Sequence, residues 1–363
     1  MKTLRVHTLN AVAALHALAA APHAATEVRG VIEVNERWVV EKSPYLMTDD
    51  VLVAKQARLY IGPGVTVLVD RPHSFDPRIK QLDHLDSFTV ALRVEGVLTC
   101  AGRRESRISF AGKNGNPSQC EWYGVVLDGV LSGESEVAFT DIAGSCNGLM
   151  VRKGSPLVHH CVFEYNNIGM TITEGSRVKV LNCAIAYNAT CGIRISLANP
   201  KIYNNLIVFN RQNGVWSDGV SQMTFENNCV FGHPAGNLAG CDPELGILVK
   251  KNEKKDSTDA HENLFKDPIF VGTPAESLSM ERDNRIPPRK SQVTDTALAQ
   301  VLYGTVIDSL PFVRPAATAA LRYKLSPYSP CIDAGKKGKA YLDADGSRND
   351  IGMHGGPEFY LVE

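Results

Sequence analysis

The sequence has almost no net charge: 38 Lys+Arg stand against 39 Asp+Glu over 363 residues, giving −1 at pH 7. Bulk attraction to a nucleic acid is therefore not expected. Long apolar runs are also scarce. The only candidate, Ala11 to Ala21, is too short to span a bilayer as a helix, so the chain does not read as an integral membrane protein. The nine cysteines include no CxxC pair and no Cys/His spacing suited to zinc.

What is present begins with a leader. Lys2 and Arg5 precede the apolar stretch, and small residues follow as far as Ala24 and Ala25. That layout reads as a cleavable signal peptide over residues 1–25, although His7, Asn10 and His16 dilute it. Export to the periplasm, the cell surface or the exterior is the corresponding expectation. The 30 glycines and 19 prolines favour many turns and short strands over long helices.

An internal repeat carries most of the information. Gly148-Leu149-Met150-Val151, Gly169-Met170-Thr171-Ile172, Gly192-Ile193-Arg194-Ile195 and Gly214-Val215-Trp216-Ser217 share one register, preceded by Gly124. Successive glycines lie 24, 21, 23 and 22 residues apart, too short a period for a helix-pair repeat. A second column runs through Val158-x-His160-Cys161-x-Phe163, Val180-x-Asn182-Cys183-x-Ile185, Ile202-x-Asn204-Asn205-x-Ile207 and Phe225-x-Asn227-Asn228-x-Val230. Polar turns follow at Asn166, Asn188, Asn210 and His233. Each coil should hold three short strands whose inward residues form one continuous core once coils stack. Asn205 and Asn228 are expected inside a turn, bonding backbone groups and the next coil's amide, with Asn tolerating a left-handed backbone there. The leading glycines are expected to serve the same conformational need.

This pattern resembles the parallel β-helix repeat of pectate-lyase-like proteins and of many secreted bacterial proteins. Thr48 to Thr66 resembles the first coil of bacterial surface β-helix proteins. Leu325-Ser326-Pro327-Tyr328-Ser329-Pro330-Cys331-Ile332-Asp333-Ala334-Gly335, and the run from Asp343 to Gly352, resemble the segments that close such proteins. The resemblance implies an all-β, right-handed parallel β-helix over residues 51–270, with coils from about 51 to 240, a cap over 26–50 and a closing segment over 321–363 packed against the helix end. Residues 271–320 read as an irregular insertion with a short helix from Thr294 to Tyr303. Asp70 to Phe88 reads as a polar loop, and Lys250 to Asp259 as an exposed charged segment. A monomer is expected.

Cys161 and Cys183 occupy the column of Asn205 and Asn228, and Cys331 stands where the resembling proteins carry alanine. All three read as small buried residues, with a Cys161–Cys183 bridge between adjacent coils as the alternative. Cys146, Cys191 and Cys241 lie nearer turns and are less readable.

Alternation aims Arg194 outward between inward Ile193 and Ile195, in a column with Arg93, Val126, Met150, Thr171 and Trp216. Asp128, Arg152 and Asp218 follow these strands. Trp216, Arg194, Arg152, Asp218 and Arg93 are thus candidates for a groove binding a polysaccharide or glycan, since an aromatic face stacks on sugar and arginine pairs with uronate. The bland alternative is solvated surface. A polysaccharide lyase would need a base and positive charge, and a hydrolase needs two nearby carboxylates. Asp128 and Asp218 are four coils apart, roughly 19 Å. The N-T-D, G-H-G and R-I-K signatures of polygalacturonases are absent, with Gly232-His233-Pro234 a partial echo. Enzymatic activity stays open, as does a structural or adhesive role. No cofactor is required; calcium at Asp343, Asp345 and Asp350 is a secondary reading beside a structural cap.

Overall fold

The computed structural model describes residues 25–70, 90–113, 120–129, 133–271 and 322–360. Apart from their boundary residues, the expected leader, the polar loop after Asp70 and the insertion 271–320 with its helix lie outside these.

The described residues stack as a parallel β-solenoid with three ladders of short strands. The first is Gly-led: Ala91–Val94, Gly124–Asp128, Asn147–Arg152, Ile168–Thr173, Cys191–Ser196, Asn213–Ser217 and Gly236–Ala239 pair in order. The second runs from Glu36–Trp38 to Thr224–Glu226. The third runs from Thr66–Val69 through Val162–Glu164, Ala184–Ala186 and Leu206–Val208 to Cys229–Phe231. The long strand Tyr45–Val53 serves both outer ladders, pairing with Thr66–Val69 at one end and Ala91–Val94 at the other. Thr26–Ile32 stacks on it and Glu36–Trp38 stacks on Arg58–Ile61, so much of the expected cap is itself a rung.

The repeat register is the stacking register. Val158, Val180, Ile202 and Phe225 align, as do Phe163, Ile185, Ile207 and Val230. Ile193, Ile195, Ile202 and Ile207 are fully buried in one core that runs the length of the solenoid. Each such side chain stabilises the fold by about 1.5–3 kcal/mol.

Two buried polar ladders fix the corners. Asn205 accepts the Cys183 N–H at 2.9 Å, Asn228 accepts that of Asn205 at 3.0 Å, and Asn263 accepts that of Asn228 at 2.9 Å. Their amides donate back to Val180, Ile202 and Phe225 carbonyls. The polar turns form the second ladder: Asn166, Asn188, Asn210 and His233 each accept the preceding coil's N–H. The left-handed backbone lies one residue earlier than expected, at His160, Asn182, Asn204 and Asn227, with φ of 53°, 47°, 59° and 53°.

Of the leading glycines, Gly124 has the positive φ expected, at 137°, but the other four need a different explanation. Gly148, Gly169, Gly192 and Gly214 are not among the positive-φ residues. A Cβ at Gly169 would lie 2.7 Å from the Gly192 carbonyl oxygen and 2.8 Å from the Asn188 amide nitrogen. Glycine there makes room for the adjacent coil and for the asparagine ladder.

The closing segment does not sit against the helix end. It runs along the side, over the outer surface of the third ladder. Asn182 donates to Asn349 Oδ1 at 3.1 Å and to the Gly352 carbonyl at 2.9 Å. Asn204 accepts from Lys336 N–H at 2.7 Å, and its carbonyl accepts the Gly352 N–H at 2.8 Å. His160 reaches the Gly355 carbonyl at 2.8 Å. Beneath, Tyr323, Cys331, Ala334, Ile351 and Met353 cluster with Val162, Ala184, Leu206, Val208 and Cys229. At one end of this contact Arg322 pairs with Asp141 and, at 2.7 Å, with Glu164, which also accepts the Tyr323 hydroxyl at 2.6 Å.

Candidate functional site

The outward column of the Gly-led ladder is continuous: Arg93, Val126, Met150, Thr171, Arg194 and Trp216 are successive partners. Outward does not mean exposed throughout. Arg93 is 5% exposed, Val126 1% and Thr171 8%, whereas Met150, Arg194 and Trp216 are half-buried. The accessible part is therefore shorter than the column.

Arg194 and Trp216 meet on adjacent coils, the guanidinium carbon 5.3 Å from the ring centroid. Such a contact is worth about 0.5–1 kcal/mol at an exposed site. Among the described residues no carboxylate forms an ion pair with Arg194, so its charge stays available. Arg93 and Arg152 differ. Both converge on Asp128, Arg152 at 3.6 Å, and Arg152 also holds Glu174 at 2.9 Å. Arg93 further lies 3.7 Å from Glu95. Glu174 was not singled out from the sequence, although it lies one repeat period beyond Arg152.

Asp218 caps a turn. Its carboxylate accepts the Leu197, Val220 and Ser221 N–H groups at 2.6, 3.1 and 3.0 Å. Burial tends to raise its pKa, but these bonds outweigh it and hold the carboxyl below the usual range. It is committed to the backbone, not free for a ligand.

The aspartates of the closing segment are similarly occupied. Asp343 accepts the Asp350 N–H, Asp350 accepts the Asp333 N–H at 2.7 Å, and Asp345 accepts from Ser347. Burial raises the Asp350 pKa to about 6. Among the described residues no group of three His, Cys, Asp or Glu side chains is arranged to hold a metal. A shallow pocket beside the closing segment, lined by Asn252, Glu253, Lys254, Asp333 and Arg348, contains charges that partly neutralise one another: Arg348 lies 3.6 Å from Glu253. The charged segment is not exposed throughout, because Asp259 is fully buried and binds Asn263.

His233, in the partial polygalacturonase echo, is a ladder residue. Its Nδ1 accepts the Asn210 N–H at 3.1 Å and its Nε2–H donates to the Ile207 carbonyl at 2.9 Å. Burial lowers its pKa to about 4, so the ring stays neutral.

The cysteines fall into two groups, and Cys161, Cys183 and Cys331 are the small buried residues expected. Cys120 and Cys146 form a disulfide, whereas Cys161, Cys183 and Cys331 are buried free thiols. Cys161 donates to the Val137 carbonyl at 3.2 Å, and Cys183 to that of Leu181 at 3.3 Å.

Among the described residues no helix is long and apolar enough to cross a membrane. Residues 107–252 match the family model described as a right-handed β-helix region. Among solved structures, the crystal structure of pectate lyase Pel9A is similar with a TM-score of 0.36 and 15% identity, covering 83% of this chain and 88% of that one. No curated protein matches. The parallel ladders and the family match together identify the body of this chain as a right-handed parallel β-helix.

Proposed function

We propose that the chain is an exported, carbohydrate-associated β-helix protein that binds a polysaccharide or glycan on the outer side of the Gly-led ladder. The observation that carries this reading is the Arg194–Trp216 pair, a cation without a carboxylate partner among the described residues lying beside a half-buried indole. An aromatic face stacks on a sugar ring while the guanidinium pairs with a carboxylate on the same polymer. Met150, beyond the buried Thr171, is the next accessible side chain of the column. Arg93, Arg152 and Asp218 frame it instead of contacting ligand, since their charges are already engaged. Lyase chemistry would need a base beside the free charge of Arg194, and the carboxylates Asp128 and Asp218 on this side are already engaged, which favours binding.

A panel of acidic and neutral soluble polysaccharides, assayed for binding and for release of unsaturated ends, tests the reading. Trp216→Ala is expected to weaken binding about fivefold or more while lowering Tm by no more than about 2 °C. Arg194→Ala should weaken acidic polymers more than neutral ones, and added salt should mimic that loss. Equal affinity for wild type and both variants across the panel would overturn the proposal. Release of unsaturated ends would replace it with a lyase.

A further inference from the structure

The closing segment and the solenoid meet through two thiols. Cys229 opens the last strand of the third ladder, and Cys331 belongs to the segment laid over that ladder. Both are fully buried in one apolar cluster, where the two thiols interact with one another and Cys229 Sγ also donates to the Lys266 carbonyl at 3.3 Å. Their neighbours hold the approach in place. The Cys229 N–H bonds the Asn205 carbonyl at 2.9 Å, the Cys331 N–H bonds Ser329 Oγ at 3.1 Å, and the Cys331 carbonyl accepts the Ile351 N–H at 3.0 Å. Neither is a zinc ligand among the described residues. Cys161 and Cys183 also interact, but a bond between them would join coils that the ladders already join.

We infer that Cys229 and Cys331 are a modification site: under a thiol–disulfide oxidant they form a disulfide that fastens the closing segment to the solenoid. In that reaction the two thiols lose two protons and two electrons. A small-molecule disulfide such as oxidised glutathione accepts them and leaves as two thiols, through a mixed disulfide. Burial of both sulfurs, and the raised pKa that contact with Cys331 and burial impose on Cys229, keep the thiolate scarce in the folded chain. The bond therefore forms during folding, or when the segment lifts, and is shielded afterwards.

The test uses the full chain refolded in a glutathione redox buffer and alkylated, then cut with cyanogen bromide. Cleavage at Met223, Met280 and Met353 leaves fragment 224–280 with Cys229 and Cys241, and fragment 281–353 with Cys331 alone. The two fragments should stay joined until reductant is added, in wild type and in Cys241→Ser, and should separate in Cys229→Ser. Because the bond closes a loop of about 100 residues, oxidation should raise Tm by on the order of 5 °C. Fragments that separate without reductant, from protein in which Cys120–Cys146 has formed, would overturn the inference. A link that vanishes in Cys241→Ser but survives in Cys229→Ser would overturn it equally.

Discussion

The outer sides of the first and third ladders start from the same repeat and finish differently. On the Gly-led ladder, Met150, Arg194 and Trp216 are half-buried side chains of mixed character. On the third ladder, Val162, Ala184, Leu206 and Cys229 occupy successive outward positions and all are fully buried. A strand apolar on both sides needs cover on both sides, and here the second cover is the chain's own closing segment. One side is thus finished internally, while the other keeps at its surface an aromatic residue and a cation without a carboxylate partner among the described residues.

The comparison breaks first where cover is removed. Arg322→Ala leaves the buried Glu164 without its cation beneath the closing segment, while Asp141 keeps Arg107 at 2.6 Å, and should cost about 3–5 kcal/mol in a urea titration. The next effect depends on pH. The folded pKa of His233, about 4, lies below its ordinary 6.5, so the unfolded chain takes up the proton first. This histidine's contribution is complete above pH 6.5 and declines as the pH falls toward 4, by about 3 kcal/mol in all. His233→Asn supplies the same acceptor and donor without a titrating ring. Its stability relative to wild type should therefore rise by that amount between pH 7 and 4, and parallel pH curves would contradict the ladder role. Asn205→Leu removes a buried amide and should cost about 1–3 kcal/mol, read as a lower melting midpoint. Trp216→Ala should cost the least, about 0.5–1 kcal/mol, the worth of its lost contact with Arg194. A larger loss of stability there would mean that the Gly-led side is covered too, and the contrast between the ladders would fail.

The repeat made the solenoid legible because a coil's interior is specified locally: Ile193 and Ile195 face inward by alternation alone. The role of the leading glycines was less accessible, since the obstruction at Gly169 is the carbonyl of Gly192, an atom with no signature in the sequence. For the candidate site, the sequence identified the column but not its exposure. Arg93 and Arg194 are equivalent by register, yet the first is buried between Asp128 and Glu95 and the second is not. The position of the closing segment was hidden for a related reason. Its partners, among them Asn182, Asn204 and His160, lie more than 100 residues upstream, and nothing periodic connects them. A cue did exist in Ala184-Ile185-Ala186 and Leu206-Ile207-Val208, whose apolar character on both sides of a short strand calls for a second layer. Cys120, the partner of Cys146, falls between aligned segments, so its bridge had no register to reveal it.

Solenoids ordinarily come apart from an end, each coil relying only on its neighbours. The segment from Arg322 to Tyr360 changes that sequence of events, because it holds the coils containing Asp141, His160, Asn182, Asn204 and Asn227 simultaneously. Peeling the last of them would also strip contacts from the segment that secures the others. This stretch should accordingly behave under tension or heat as one mechanical unit, yielding in a single step instead of a staircase.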